Sequence, residues 1–159
     1  LLTKPLGIGI LTTAAKAELL SEAGQALAVQ LMTTLNRGAR DAMVHYRVHA
    51  CTDVTGFGLL GHSYEMASGS GVTIRLHGAT FPLMDEARDM AEMGIIPTGA
   101  YRNMDYVKPH LTVLPTAQQV FLDLAADPQT SGGLLVALPR EDAEPLLNAL
   151  RVRISKIRR

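Results

Sequence analysis

The chain has 159 residues, 47% of them hydrophobic, and its 15 basic and 15 acidic residues cancel to a formal net charge of zero. That length supports one domain with a real core, and the balanced charge excludes a broad basic field for nucleic acid. One cysteine excludes an internal disulfide framework and suits a reducing cytosol, and no apolar run reaches membrane-spanning length. The N-terminus has no basic region leading into a long apolar core, so it does not read as a signal peptide. It begins without Met at a strand-like segment, which suggests a piece of a longer chain.

Residues 4–11 alternate glycine with aliphatics and read as a strand that lets another backbone come close. Residues 12–16 read as a polar connection. Leu20, Ala23, Leu27, Leu31 and Leu35 fall on one helical face, with Gly38 as its stop or break. Residues 40–46 read as a second helix or a continuation of the first. Residues 47–51 read as a short strand. A turn with one carboxylate, two hydroxyls and two glycines follows, and Leu60, Tyr64 and Ala67 then repeat at helical spacing.

That helix ends at Ser68-Gly69-Ser70-Gly71, a strong breaker. Val72, Ile74 and Leu76 alternate with polar residues, as in a half-buried strand. Leu83, Ala87, Met90 and Ala91 predict an amphipathic helix closed by Gly94. Residues 97–103 read as a turn-rich connection, and residues 117–125 as a short helix. Residues 134–138 are a continuous apolar run, best read as a buried strand after a glycine turn. Glu141, Asp142 and Glu144 open a final helix that Arg151 and Arg153 close, with Pro145 shortening or bending its first turn. Alternating strands and helices argue an α/β class, an α+β sandwich with one mixed sheet covered by helices. The domain is expected over residues 1–150. A basic tail at 151–159 reads as an edge strand or a frayed end.

The turn Cys51-Thr52-Asp53-Val54-Thr55-Gly56-Phe57-Gly58-Leu59-Leu60-Gly61-His62 carries the clearest chemistry. A strand that stops there, with a helix behind it, offers backbone N–H groups to an anion. Asp53 supplies a hard oxygen ligand of the kind Mg²⁺ takes. The plain alternative is a βα turn in which Asp53 or Thr55 caps the helix. Glycines let backbone approach a phosphate without a Cβ in the way, but a tight turn demands them equally. Thr130, Ser131, Gly132 and Gly133 present donors in a similar way, or form a plain loop into a buried strand. Asp127, before Pro128, starts that turn.

Taken with Asp127-Pro128-Gln129-Thr130-Ser131-Gly132-Gly133-Leu134-Leu135 and Leu2-Thr3-Lys4-Pro5-Leu6-Gly7-Ile8-Gly9-Ile10-Leu11, that turn resembles selenophosphate synthetase (selenide, water dikinase). The motifs come in the family's order and at about its spacing, and match the second half of that enzyme. The resemblance implies a C-terminal α/β domain, related to that of aminoimidazole ribonucleotide synthase, that closes over an N-terminal domain holding most of the ATP. It implies that Asp53 is a Mg²⁺ ligand beside the nucleotide phosphates. Thr55, Gly56, Gly58, Arg102, Asn103, Thr130, Ser131, Gly132 and Gly133 would shape the phosphate pocket. The implied partners are the chain's own N-terminal domain, ATP and selenide, in a cytoplasmic homodimer with no nucleic acid or membrane. The catalytic cysteine or selenocysteine lies near the enzyme's N-terminus, so this chain alone is expected to be inert.

Two departures bear on that reading. The family usually shows Pro-Gly-Gly-Thr-x-Arg-Asn where this chain has Thr98 and Ala100 before Arg102 and Asn103. Arg102 suits a bidentate phosphate contact or a surface ion pair. The tail also lacks the family's final strand. Cys51 reads as a small buried apolar residue. His45 and His49 lack a third ligand for zinc, and His62 reads as a hydrogen-bonding residue. The alternatives are another ATP-using relative, of the aminoimidazole ribonucleotide synthase or thiamine-monophosphate kinase type, or a non-catalytic binding or assembly module.

Overall fold

Two short strands far apart in sequence pair with each other. β1 (Ala50–Asp53) and β2 (Leu134–Ala137) pair antiparallel, with Ala50 opposite Ala137 and Asp53 opposite Leu134. A computed structural model describes residues 1–157. The first residues of the chain line the other side of β2. Leu1 and Val136 exchange backbone hydrogen bonds, and Thr3 N–H donates to Leu134 O at 3.0 Å. A parallel bridge joins Leu6 to Leu83. Extended pairing is therefore mixed in sense, as expected for the α/β class, but the regular sheet among the described residues has only two strands.

Helices supply the rest: α1 (Ile8–Lys16), α2 (Glu22–Thr33), α3 (Arg37–Met43), α4 (Gly58–Ser70), α5 (Ala87–Glu92), α6 (Thr98–Val107), α7 (Gln119–Ala126) and α8 (Arg140–Ile157). Each buries one face, because a helix gains most of its stability from an apolar stripe packed on a neighbour. α1, α2, α5 and α7 share a core built on Ile8, Ile10, Leu11, Ala28, Met90 and Leu124. α4, α6 and α7 close around Leu6, Val54, Leu59, Leu60 and Val107. α3 and α8 cover β2 through Ala42, Val136, Leu146 and Leu150. No helix is long and apolar enough to cross a membrane among the described residues.

Several local expectations are corrected. Residues 4–11 are not one strand, because α1 begins at Ile8 and takes in residues 12–16, expected as a connection. The glycine–aliphatic alternation misleads there. Gly7 has φ 122°, which breaks an extended run, and Gly9 lies against the carboxylate of Asp127. The Leu20 face does form a helix, with Ser21 Oγ accepting from Gly24 N–H at 2.9 Å. Leu35 falls outside it and is 78% exposed. Gly38 stops nothing, since it lies inside α3.

Residues 47–49 precede β1, and Arg47 reaches α8 instead, through Glu141 at 2.9 Å and Asp142 at 2.9 Å. Among the described residues, 72–77 find no ladder partner, and only Leu76 of them packs on the core. Residues 98–103 are the first turns of α6, not a loop, with Ala100 and Asn103 on its buried face. α4 closes at Gly71 with φ 64°, and Gly94 follows α5 with φ 81°, as the breakers predict. α8 continues through Pro145 and Arg151 in helical form, while residues 158 and 159 lie outside the described residues.

Candidate functional site

β1 alternates half-buried and exposed positions, so Cys51 and Asp53 share its exposed face. This corrects the expectation that Cys51 is buried. Its Sγ lies 3.7 Å from Met43 Sδ, and partial burial together with the Asp53 charge pushes the thiol pKa up. A raised thiol pKa makes a poor nucleophile at neutral pH. The Asp53 carboxylate makes no hydrogen bond or ion pair among the described residues. The capping alternative fails on geometry. α4 has Phe57 at its N-cap and no side-chain cap hydrogen bond.

Thr55 is turned toward α4. Its Oγ1 lies 3.0 Å from His62 Nε2, and His62 Nδ1 lies 3.0 Å from Glu65 Oε2. A carboxylate only accepts, so in the neutral ring Nδ1 carries the proton and Nε2 accepts from the Thr55 hydroxyl. His62 is therefore a buried hydrogen-bonding residue that orients Thr55.

The two glycines of the turn separate cleanly. Gly58 has φ 68°, and a Cβ there would meet the backbone of Ala126 at 2.8 Å. Gly56 has neither constraint and faces open space. Gly58→Ala is expected to cost about 1–3 kcal/mol, and Gly56→Ala less than about 0.5 kcal/mol. Chemical denaturation of the two variants checks this.

The loop of residues 127–133 lies directly against that turn. Gln129 N–H donates to Thr55 O at 3.0 Å, and Val54 N–H donates to Gly133 O at 2.8 Å. Gly132 has no room for a Cβ, since Val54 O fills the space, and a Cβ on Gly133 would meet Lys4 N at 2.5 Å. These two glycines are needed for close packing, whatever the loop binds. Thr130 and Ser131 are exposed, and Ser131 has φ 50°.

Asn103 ties the pieces together. Its Nδ2 donates to Gly56 O and to Ala126 O, each at 2.8 Å, and the residue is buried. Both donors of the amide nitrogen are thereby used to clamp the turn to the end of α7. Arg102, the next residue along α6, is exposed and makes no ion pair among the described residues. The start of α6 packs on the loop through Gly99 and Pro128. Thr98 and Ala100, the departures from the usual pattern, thus sit in a regular helix that still delivers Asn103.

Behind the loop lies a residue group that sequence reasoning missed. Asp127 is fully buried. Its Oδ2 accepts from Gly9 N–H at 3.0 Å and from Gln129 Nε2 at 2.7 Å, and Gln129 Oε1 faces Ile8 N–H at 3.4 Å. The first N–H groups of α1, which no helix satisfies internally, are capped from far along the chain. Burial pushes the Asp127 pKa up to about 7, against the lowering by Gln129 and Gly9. Its Oδ1 is buried with no hydrogen-bond partner among the described residues. Lys4 is also buried, with its ammonium on carbonyl oxygens.

The turn that follows Asp53 and the glycine-spaced loop thus adjoin, with α6 packed against both through Asn103 and Gly99. The chain belongs to the family described as AIR synthase related protein, C-terminal domain, whose model matches residues 1–156. It is 51% identical over 150 residues to a selenide, water dikinase of Clostridium botulinum, covering 94% of this chain and 44% of that one. It is 48% identical over 154 residues to the selenide, water dikinase of Caldanaerobacter subterraneus, covering 97% and 44%. A third, from Pelobacter propionicus, is 46% identical over 151 residues, covering 95% and 43%. The chain spans less than half the length of the curated relatives it matches.

Proposed function

We propose that this chain is the C-terminal domain of a selenide, water dikinase, the half that closes over ATP held by an N-terminal domain. The whole reaction would make selenophosphate from selenide, ATP and water, releasing AMP and orthophosphate. The observation that carries this reading is the Asp53 carboxylate: exposed at a strand end, unpartnered among the described residues, not a cap, and set beside two glycine-bearing loops. The names of the relatives support it.

A hard anionic oxygen fits Mg²⁺. No group of three His, Cys, Asp or Glu able to hold a metal exists among the described residues, so Asp53 would supply one ligand and the N-terminal domain the others. Bound there, Mg²⁺ would neutralise phosphate charge during phosphoryl transfer. Thr55, held by His62, and the open backbone at Gly56 would border the phosphates. Arg102 would add a positive charge at the rim. Asn103 would act from behind, fixing the Gly56 carbonyl so that the turn keeps its shape.

Purified alone, the chain should form no AMP from ATP and selenide, whereas the full-length protein should. Robust turnover by the chain alone would refute the reading. Within the full-length protein, Gly56→Ala should lower turnover by roughly tenfold or more without moving the thermal midpoint, because the added Cβ meets no protein atom. Unchanged turnover would remove Gly56 from the pocket.

A further inference from the structure

We propose that Lys4 is a positioning residue for residues 130–133, holding that loop with its amide groups turned toward an anion. This rests on the reading of the loop as part of a phosphate pocket. Lys4 is 7% exposed and has no carboxylate partner among the described residues. Its ammonium donates to Leu31 O at 3.1 Å, Thr34 O at 2.7 Å and Ser131 O at 2.7 Å. An ammonium has three protons, so its donors are fully used. Two of the acceptors close the C-terminal end of α2, where the helix dipole favours a cation. The third is the loop.

Ser131 sits in the left-handed region, which costs a residue with a Cβ about 1 kcal/mol or more. Something must hold it there, and the bond from Lys4 does so. Asn36, just beyond α2, donates its Nδ2 to Gly132 O at 2.9 Å. Val54 N–H takes the next carbonyl, that of Gly133. Consecutive carbonyls are thus drawn inward. In a planar trans peptide the N–H points opposite to the C=O. The amides of Gly132 and Gly133 therefore face away from Lys4 and Asn36. The N–H groups of Thr130, Ser131, Gly132 and Gly133 donate to no acceptor among the described residues. Successive N–H groups around a left-handed residue form a concavity that takes anions, and a fixed ammonium behind it adds favourable charge.

The test is amide NMR on the ¹⁵N-labelled chain, titrated with inorganic tripolyphosphate. In the unsubstituted chain the amides of residues 130–133 and of 55–58 should both shift. In Lys4→Met the shifts at 130–133 should fall roughly fivefold while those at 55–58 remain, and Lys4→Arg, which keeps charge and donors, should restore part of the loss. Asn36→Ala leaves Lys4 in place and should weaken the response of Gly132 and Gly133. Lys4→Gln, uncharged and too short to span the three carbonyls, carries the test if Lys4→Met does not fold. Undiminished shifts at 130–133 in folded Lys4→Met, or in Lys4→Gln if Lys4→Met is unfolded, overturn the positioning role alone. No shift at 130–133 in the unsubstituted chain overturns the loop's place in the pocket and the role of Lys4 with it. The response at 55–58 then shows whether the rest of the pocket reading survives.

Discussion

Asp53→Asn in the full-length protein is expected to lower ATP turnover by roughly a hundredfold or more and to shift the thermal midpoint by less than about 2 °C. Asparagine keeps the size of the side chain and an acceptor oxygen but loses the charge. A helix cap would tolerate that exchange, since Asn caps about as well as Asp. α4 has no such cap to lose, and the Asp53 carboxylate has no hydrogen-bond or ion-pair partner among the described residues. Folding therefore has little stake in the charge, whereas a divalent cation held there would have a large one. The variant should also need more Mg²⁺ to reach half-maximal rate. Near-normal turnover would discard metal ligation, and joint collapse of rate and midpoint would mark a structural carboxylate instead.

Asp127 should behave in the opposite way, with a large effect on stability. Asp127→Ala removes the acceptor for Gly9 N–H and one acceptor for Gln129 Nε2 inside the core. Stranding buried donors and opening a cavity costs on the order of 3 kcal/mol. Asp127→Asn keeps an acceptor and should cost far less. The two also differ in pH dependence. The folded-state pKa, about 7, lies above the ordinary 3.8. The native state thus holds a proton that the unfolded chain has released across that interval. The benefit is fully present below about pH 4 and is lost as pH rises toward 7. Its upper bound is on the order of 4 kcal/mol for a shift of this size. Urea denaturation between pH 4 and 8 should show stability falling with pH for the native chain, with that component absent in Asp127→Asn. A native profile that rises through this interval, or an unchanged slope in Asp127→Asn, would place the titration elsewhere.

The legible parts of the sequence were those whose cause is local. α4, α5 and α7 carry apolar residues at helical spacing, and Gly71 and Gly94 stop two of them in the left-handed conformation. β2 follows a glycine turn and is an unbroken apolar run. The resemblance also implies that the turn at Asp53 and the loop at Gly132 lie together, and they do adjoin. What stayed hidden depends on distant partners. α1 looks like a strand because its capping groups, Asp127 and Gln129, lie more than a hundred residues away. α6 hides behind Pro97 and Gly99, which read as a turn, yet Gly99 is there to admit Pro128. Lys4 gives no local sign that carbonyls from α2 and from Ser131 will enclose its ammonium. Gly56 and Gly58 look equivalent in sequence, and only the backbone angle and neighbouring atoms tell them apart.

The pairing of β1 with β2 also has a kinetic side. Asp53 and Leu134 are partners although all of α4, α5, α6 and α7 lies between them. Contacts so far apart in sequence give no return until the entropy of closing the intervening loop has been met. The helices between, whose contacts are closer in sequence, should collapse first and shorten that search. The hydrogen bonds from Val54 to Gly133 and from Gln129 to Thr55 should then form with the last closure. The edge that carries Asp53 is thus assembled at the end of folding. A partly folded chain would carry most of the helices and none of the composite edge.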